Sequence, residues 1–250
     1  MSYCFVRFLL GAFHFFKCIL KSGALLEYPC YILEKLDRDY DHGGSMFSSK
    51  DIKNNIESVY NRFAGRRDSA DRPEWKNAER IYALDYFRDH ECRSLLEIGA
   101  GTGQDSLFFK ENGLAVHAID LSGEHVKCCL EKGIPASVMD LYKMDFPTGH
   151  FDCVYSMNCF LHVPKRDLTP ALEETKRVLS PGGLFYLGVY GGREYEGYLK
   201  WTDYSNVERF FSFYMFDEYM SILERLYTIV DAREIYLSDE LIFNAFLLRK

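Results

Sequence analysis

The chain lacks the features that would place it in several large classes. Its 250 residues contain no uninterrupted apolar run near the ~18 residues of a membrane-crossing helix. No basic start followed by a small-residue cleavage site marks a signal peptide. The eight cysteines, Cys4, Cys18, Cys30, Cys92, Cys128, Cys129, Cys153 and Cys159, form no CxxC and no Cys/His zinc spacing. Positive charge is in deficit, 30 Lys and Arg against 37 Asp and Glu, so the formal net charge is −7 and broad contact with nucleic acid is disfavoured. No internal repeat is visible, which excludes a collagen-like or coiled-coil rod. What is present, 48% apolar and 27% charged residues, is the composition of an ordinary globular protein, expected in a reducing, cytoplasmic compartment.

The N-terminus is unusual. Residues 3–33 are strongly apolar but interrupted by Arg7, His14, Lys17 and Lys21. Phe5, Phe8, Leu9, Ala12, Phe13, Phe16, Ile19 and Leu20 recur at three- and four-residue steps and build one apolar helix face. Such a helix packs on the domain or caps its pocket. Peripheral contact of residues 3–21 with a membrane surface is the alternative, and a dispensable segment is the third reading. Residues 34–50 turn polar around Gly43 and Gly44 and read as a linker. Ser49 is then placed to cap a helix carrying Ile52, Ile56, Val59, Tyr60 and Phe63. A further helix spans about Glu74 to Asp89. This divides the chain into a helical extension or cap, 1–75, and a main domain, 76–250.

From Ser94 the pattern alternates between short apolar runs and helical stretches. SLLEIG, LAVHAID, IPASVMD, FDCVYSMN and LFYLGVYG read as strands, with helices between them. After an interlude at about 191–216, a helix near Asp217–Leu226 and two closing strands near Thr228–Leu237 and Leu241–Leu248 follow. Repeated βα units imply a doubly wound, Rossmann-like α/β sheet that binds ligands at the carboxyl ends of its strands.

The first βα turn reads Glu97-Ile98-Gly99-Ala100-Gly101-Thr102-Gly103. Glycines there permit a tight turn and close approach of a ligand to the backbone. An acid at the strand end repels a pyrophosphate but suits an ammonium or sulfonium group. Asp120, 21 residues after Gly99, can accept both hydroxyls of a ribose. Asp140 is placed to accept from an exocyclic amine such as adenine N6. Three acids at three successive strand ends outline an adenosine carrying a cationic amino-acid tail.

LLEIGAGTGQDSLFF, AIDLS, MDLYKMDFPTGHFDCVYSMNCFLHV and RVLSPGGLFYLGVY resemble, in order and spacing, the successive motifs of class I S-adenosylmethionine-dependent methyltransferases. The resemblance covers about residues 80–250. It implies a seven-stranded sheet whose last strand is antiparallel. It also implies that Glu97, Gly99, Ala100, Gly101 and Gly103 line the methionine end of the cofactor. Asp120 would hold the ribose hydroxyls, with Leu121 beside the adenine. Asp140 and Leu141 would contact the adenine ring, and Met157 and Asn158 would sit beneath the cofactor.

Ser156-Met157-Asn158-Cys159 follows the fourth strand where an Asn/Asp-Pro-Pro-aromatic motif would grip a nucleobase amine or a glutamine amide, so a small-molecule methyl acceptor is expected. His162 is the best-placed titratable group: a general base, or a residue that orients its loop or pairs with a backbone carbonyl. Nothing resembles the metal-ligand set of catechol methyltransferases, so no metal is expected. The interlude carries Tyr195, Tyr198, Trp201, Tyr204, Phe210, Phe211, Phe213, Tyr214 and Phe216, an acceptor wall or simply core. Arg193 and Arg209 are read as partners of an acceptor carboxylate or as solvated surface. Two other functions stay open: a protein or RNA methyltransferase that docks through its N-terminal segment, and a non-catalytic protein that binds S-adenosylmethionine.

Overall fold

Strands buried on both faces read as continuous apolar runs, because helices cover both sides of a parallel sheet. The computed structural model, which describes residues 48–69, 72–200, 207–238 and 241–250, shows this arrangement. The expectations for residues 3–21, for the linker glycines and for Trp201 and Tyr204 lie outside the described residues.

Strands β1 (Ser94–Ile98), β2 (Ala115–Asp120), β3 (Ala136–Val138), β4 (Phe151–Met157) and β5 (Leu179–Gly191) are mutually parallel where they pair. Two later strands, β8 (Thr228–Tyr236) and β9 (Ile242–Arg249), complete a seven-stranded sheet of order β3-β2-β1-β4-β5-β9-β8. The last strand, β9, runs antiparallel to both its neighbours, β5 and β8. This is the expected Rossmann-like architecture. Asp120 ends β2 as read, whereas β3 stops at Val138, two residues short of Asp140.

Helix α5 (Leu168–Val178) shows why one side closes: Leu168, Ala171, Leu172, Thr175 and Val178 recur at helical steps and all are buried. With α6 (Phe216–Leu223) it covers one face of the sheet. Helices α2 (Glu74–Asp89) and α3 (Gln104–Glu111) cover the other, where Phe87, Phe109 and Tyr155 are fully buried. A buried acid fixes α2: Glu79 accepts from the Tyr186 hydroxyl at 2.6 Å and from Arg233 at 3.2 Å. Among the described residues no helix is long and apolar enough to cross a membrane.

The aromatic interlude is a separate antiparallel hairpin, β6 (Tyr195–Lys200) and β7 (Glu208–Phe213). Its Phe210 packs with Ile52 and Ile56 of α1 (Ser49–Asp68). Ser49 does not cap α1 as expected. Ser48 holds the cap position, without a side-chain bond, and the Ser49 hydroxyl donates to Asp167 at 2.8 Å. Helix α1 is pinned elsewhere too. Asn61 accepts from the Ser122 hydroxyl at 2.7 Å and from the Glu124 N–H at 3.2 Å, at the N-terminus of α4 (Gly123–Glu131). At its last turn, Asp68 pairs with Lys132.

Candidate functional site

A cleft enclosing about 790 Å³ of free space, open on one side, lies at the carboxyl ends of the strands under α1. Gly99, Gly101, Asp120, Leu121, Asp140, Leu141, Met157, Asn158 and His162 all line it. Glu97, Ala100 and Gly103 do not; they sit behind the lining.

The glycines divide the work. A Cβ on Gly99 would lie 2.4 Å from Cys159 Cβ, and one on Gly103 would lie 2.8 Å from Cys129 Sγ. These two let protein approach protein. Gly101 differs from them: it lines the cleft, and a Cβ there would meet only the Arg67 guanidinium at 3.4 Å. Glu97 is 3% exposed and accepts from the Ser106 hydroxyl. Burial, reinforced by nearby Asp105, pushes its carboxyl well above the ordinary range.

Asp120 is prepared as an anion. The Gly101 N–H donates to one carboxylate oxygen at 2.8 Å and the Ser122 N–H to the other at 2.9 Å. Burial alone would raise its pKa, but His125 beside it and these two N–H groups outweigh that and hold it below the usual value. Asp140 is engaged differently. Its Oδ1 accepts from the Tyr142 N–H at 3.0 Å, and its Oδ2 holds Lys53 of α1 at 2.5 Å. A ligand amine at Asp140 must share that carboxylate with Lys53 or displace it. Asn158 sits at φ +59°, a left-handed conformation that asparagine tolerates better than most residues, and its N–H donates to the Gly188 carbonyl at 2.7 Å. Its Oδ1 is buried with no hydrogen-bond partner among the described residues.

His162 has both ring nitrogens engaged. Nδ1 lies 2.7 Å from the Phe210 carbonyl oxygen, which only accepts, so Nδ1 carries the hydrogen. Nε2 is then the acceptor for the Tyr60 hydroxyl at 2.7 Å. The same hydroxyl accepts from Arg209 at 3.1 Å. Burial, then the charge of Arg209, lowers the His162 pKa to about 3. The geometry therefore matches the carbonyl-paired alternative: a neutral ring that latches α1 to the hairpin, poorly matched to taking a proton near neutral pH. Arg209 is not solvated surface; it is 2% exposed.

Two outcomes follow from this latch. Unfolding restores His162 to a value near 6.5, so between about 6.5 and 3 the unfolded state binds more protons and stability falls as pH falls. Chemical denaturation at pH 7 and pH 5 will show a loss that is smaller in His162→Gln. An equal loss in both proteins contradicts the buried neutral ring. Tyr60→Phe removes one hydrogen bond from His162 and one from Arg209, and will lower stability by about 1–3 kcal/mol. A shift under ~0.3 kcal/mol in the denaturation midpoint energy would show that the latch is not formed.

Sequence reasoning missed Lys53, Tyr60, Arg67 and His125 as cleft residues. The first three are spaced seven apart on α1, polar members of an otherwise apolar stripe. That interruption is the signal that was available. Among the described residues no cluster of three or more His, Cys, Asp or Glu side chains is arranged to hold a metal ion.

Comparison with known proteins bears on this geometry. Residues 96–187 match the family described as methyltransferase domain. Phosphoethanolamine N-methyltransferase 2 of Caenorhabditis elegans is 30% identical over 107 residues, 40% of this chain and 24% of that protein. Glycine N-methyltransferase of Rattus norvegicus is 30% identical over 129 residues, 43% of this chain and 44% of that protein. The chain spans no more than about half the length of these curated relatives. The structure of 1,6-didemethyltoxoflavin-N1-methyltransferase from Burkholderia thailandensis, with bound 1,6-didemethyltoxoflavin and S-adenosylhomocysteine, matches with a TM-score of 0.65. It shares 18% identity, covering 85% of this chain and 98% of that one, so the likeness is one of fold. Motif order, family match and sheet topology agree: residues 96–187 carry the match to a methyltransferase domain, and the seven-stranded sheet built around them resembles that of class I S-adenosylmethionine-dependent methyltransferases.

Proposed function

We propose that this protein transfers a methyl group from S-adenosylmethionine to a small-molecule acceptor. The observation that carries the reading is the cleft itself, in which Asp120, Asp140, Gly101 and the Met157–Asn158 turn meet at adjoining strand ends. The residues present fit the cofactor. Asp120 is an ionised acceptor pair for a ribose, Gly101 leaves room beside it, and the partnerless Asn158 Oδ1 awaits a donor. When bound, the sulfonium supplies a methyl group already activated for in-line displacement.

The chain's own residues then bind, align and exclude water. Helix α1 roofs the cleft through Ile52, Ile56 and Tyr60. The His162–Tyr60–Arg209 chain of hydrogen bonds holds that roof to the β6–β7 hairpin. Because His162 is neutral and already an acceptor, the reading assigns it to closure and gives no proton transfer to it. A cleft roofed by α1 suits a small acceptor better than a folded protein surface. Phosphoethanolamine and glycine, in the names of two relatives, are acceptors of that scale.

The test is to incubate the full chain with methyl-labelled S-adenosylmethionine and a whole-cell extract separated by size. Label in the small-molecule fraction is expected. Label confined to protein or RNA would replace the acceptor class, and binding without any transfer would leave a non-catalytic binding protein.

A further inference from the structure

His125 is 2% exposed, lines the cleft, and has neither ring nitrogen in a hydrogen bond among the described residues. A buried imidazole in that state is costly, since a nitrogen taken out of water without a replacement hydrogen bond loses its solvation. Its position is nevertheless tightly set. Ser122 caps α4 by accepting from the His125 N–H at 3.1 Å, which fixes the backbone from which the ring projects. On one side the ring Nδ1 stands 3.4 Å from Asp120 Oδ1. On the other the Tyr60 ring covers it, with centroids 5.3 Å apart.

The carboxylate it faces has acceptor capacity to spare. An ionised carboxylate offers about four lone-pair sites, and the N–H groups of Gly101 and Ser122 occupy two of them. An imidazole whose Nε2 has no hydrogen-bond partner among the described residues, standing with Nδ1 beside a half-filled carboxylate, is a composite site, offering donor and acceptor together. Its complement is a pair of adjacent hydroxyls, each of which can donate to one group and accept from another. An apolar residue at 125 would serve a purely structural role on α4 without burying an imidazole Nε2 that has no partner among the described residues.

We propose that His125 is a direct ribose-binding residue of this protein, working with Asp120 to recognise the vicinal hydroxyls of the cofactor. The proposal rests on the cofactor reading above and adds a residue to it. Its test reads binding and needs no turnover. Calorimetric titrations would compare 5′-methylthioadenosine with its 2′-deoxy and 3′-deoxy forms, in the full chain, in His125→Leu and in His125→Gln. The unaltered chain should bind the complete nucleoside. His125→Leu should lose about tenfold of the discrimination against at least one deoxy form, the worth of one hydrogen bond. His125→Gln, which keeps a donor and an acceptor, should restore part of it. Unchanged discrimination in both variants overturns the proposal and leaves the cofactor reading standing. No binding of any of the three nucleosides to the unaltered chain overturns both.

Discussion

Asp120→Ala will weaken binding of S-adenosylhomocysteine by about 5- to 150-fold, the equivalent of about 1–3 kcal/mol for hydrogen bonds to a charged acceptor. The size of the effect follows from how the carboxylate is held. Two backbone N–H groups, at 2.8 and 2.9 Å, fix its plane at the end of β2 before any ligand arrives, so little ordering remains to be done on binding. Its side chain is 11% exposed, which limits competition from water. Asp120→Asn keeps the shape and one acceptor oxygen and should fall between the two. The check is calorimetry on variants whose near-ultraviolet circular dichroism matches the unaltered chain. Equal affinity in a folded Asp120→Ala protein would remove Asp120 from the ribose site.

Gly99→Ala will destabilise the fold by about 3 kcal/mol, from left-handed backbone strain of ~1–2 kcal/mol and overpacking of ~1–3 kcal/mol. Gly99 sits at φ +73°, and an added Cβ would stand 2.4 Å from Cys159 Cβ and 2.5 Å from its sulfur. Neither neighbour can retreat cheaply. Gly99 is tied by its N–H to the Ile119 carbonyl at 2.9 Å, and Cys159 sits between Asn158 and the turn that carries His162. Gly101→Ala is the internal contrast. It shares the positive φ, +56°, but its Cβ meets only a guanidinium at ordinary distance. It should cost stability through strain alone and act mainly on ligand binding. Denaturant midpoints decide this: a Gly99→Ala loss no larger than that of Gly101→Ala contradicts the close packing of the two loops.

Much of this was legible in the sequence, for physical reasons. Strands β1, β4 and β5 are largely buried, so they appear as apolar runs; β1 and β5 run into glycine and β2 ends on an acid. The acids at the strand ends could be placed because βα topology brings carboxyl ends together at one edge. The β6–β7 hairpin was not legible. Glu196, Gly197, Lys200, Glu208 and Arg209 break its pattern, and its burial comes from distant partners, Phe210 against Ile52 and Ile56. The same long-range packing buries Arg209, which its charge alone marks as surface. His125 was hidden because it occupies a helical position on the buried side of α4, between Ser122 and Val126, where periodicity suggests only core.

Titrating the folded chain with S-adenosylhomocysteine in a calorimeter tests the central claim most directly. The account predicts saturable binding at one site per chain. A folded sample that releases no heat at any concentration, and gains no thermal stability from the ligand, would contradict it.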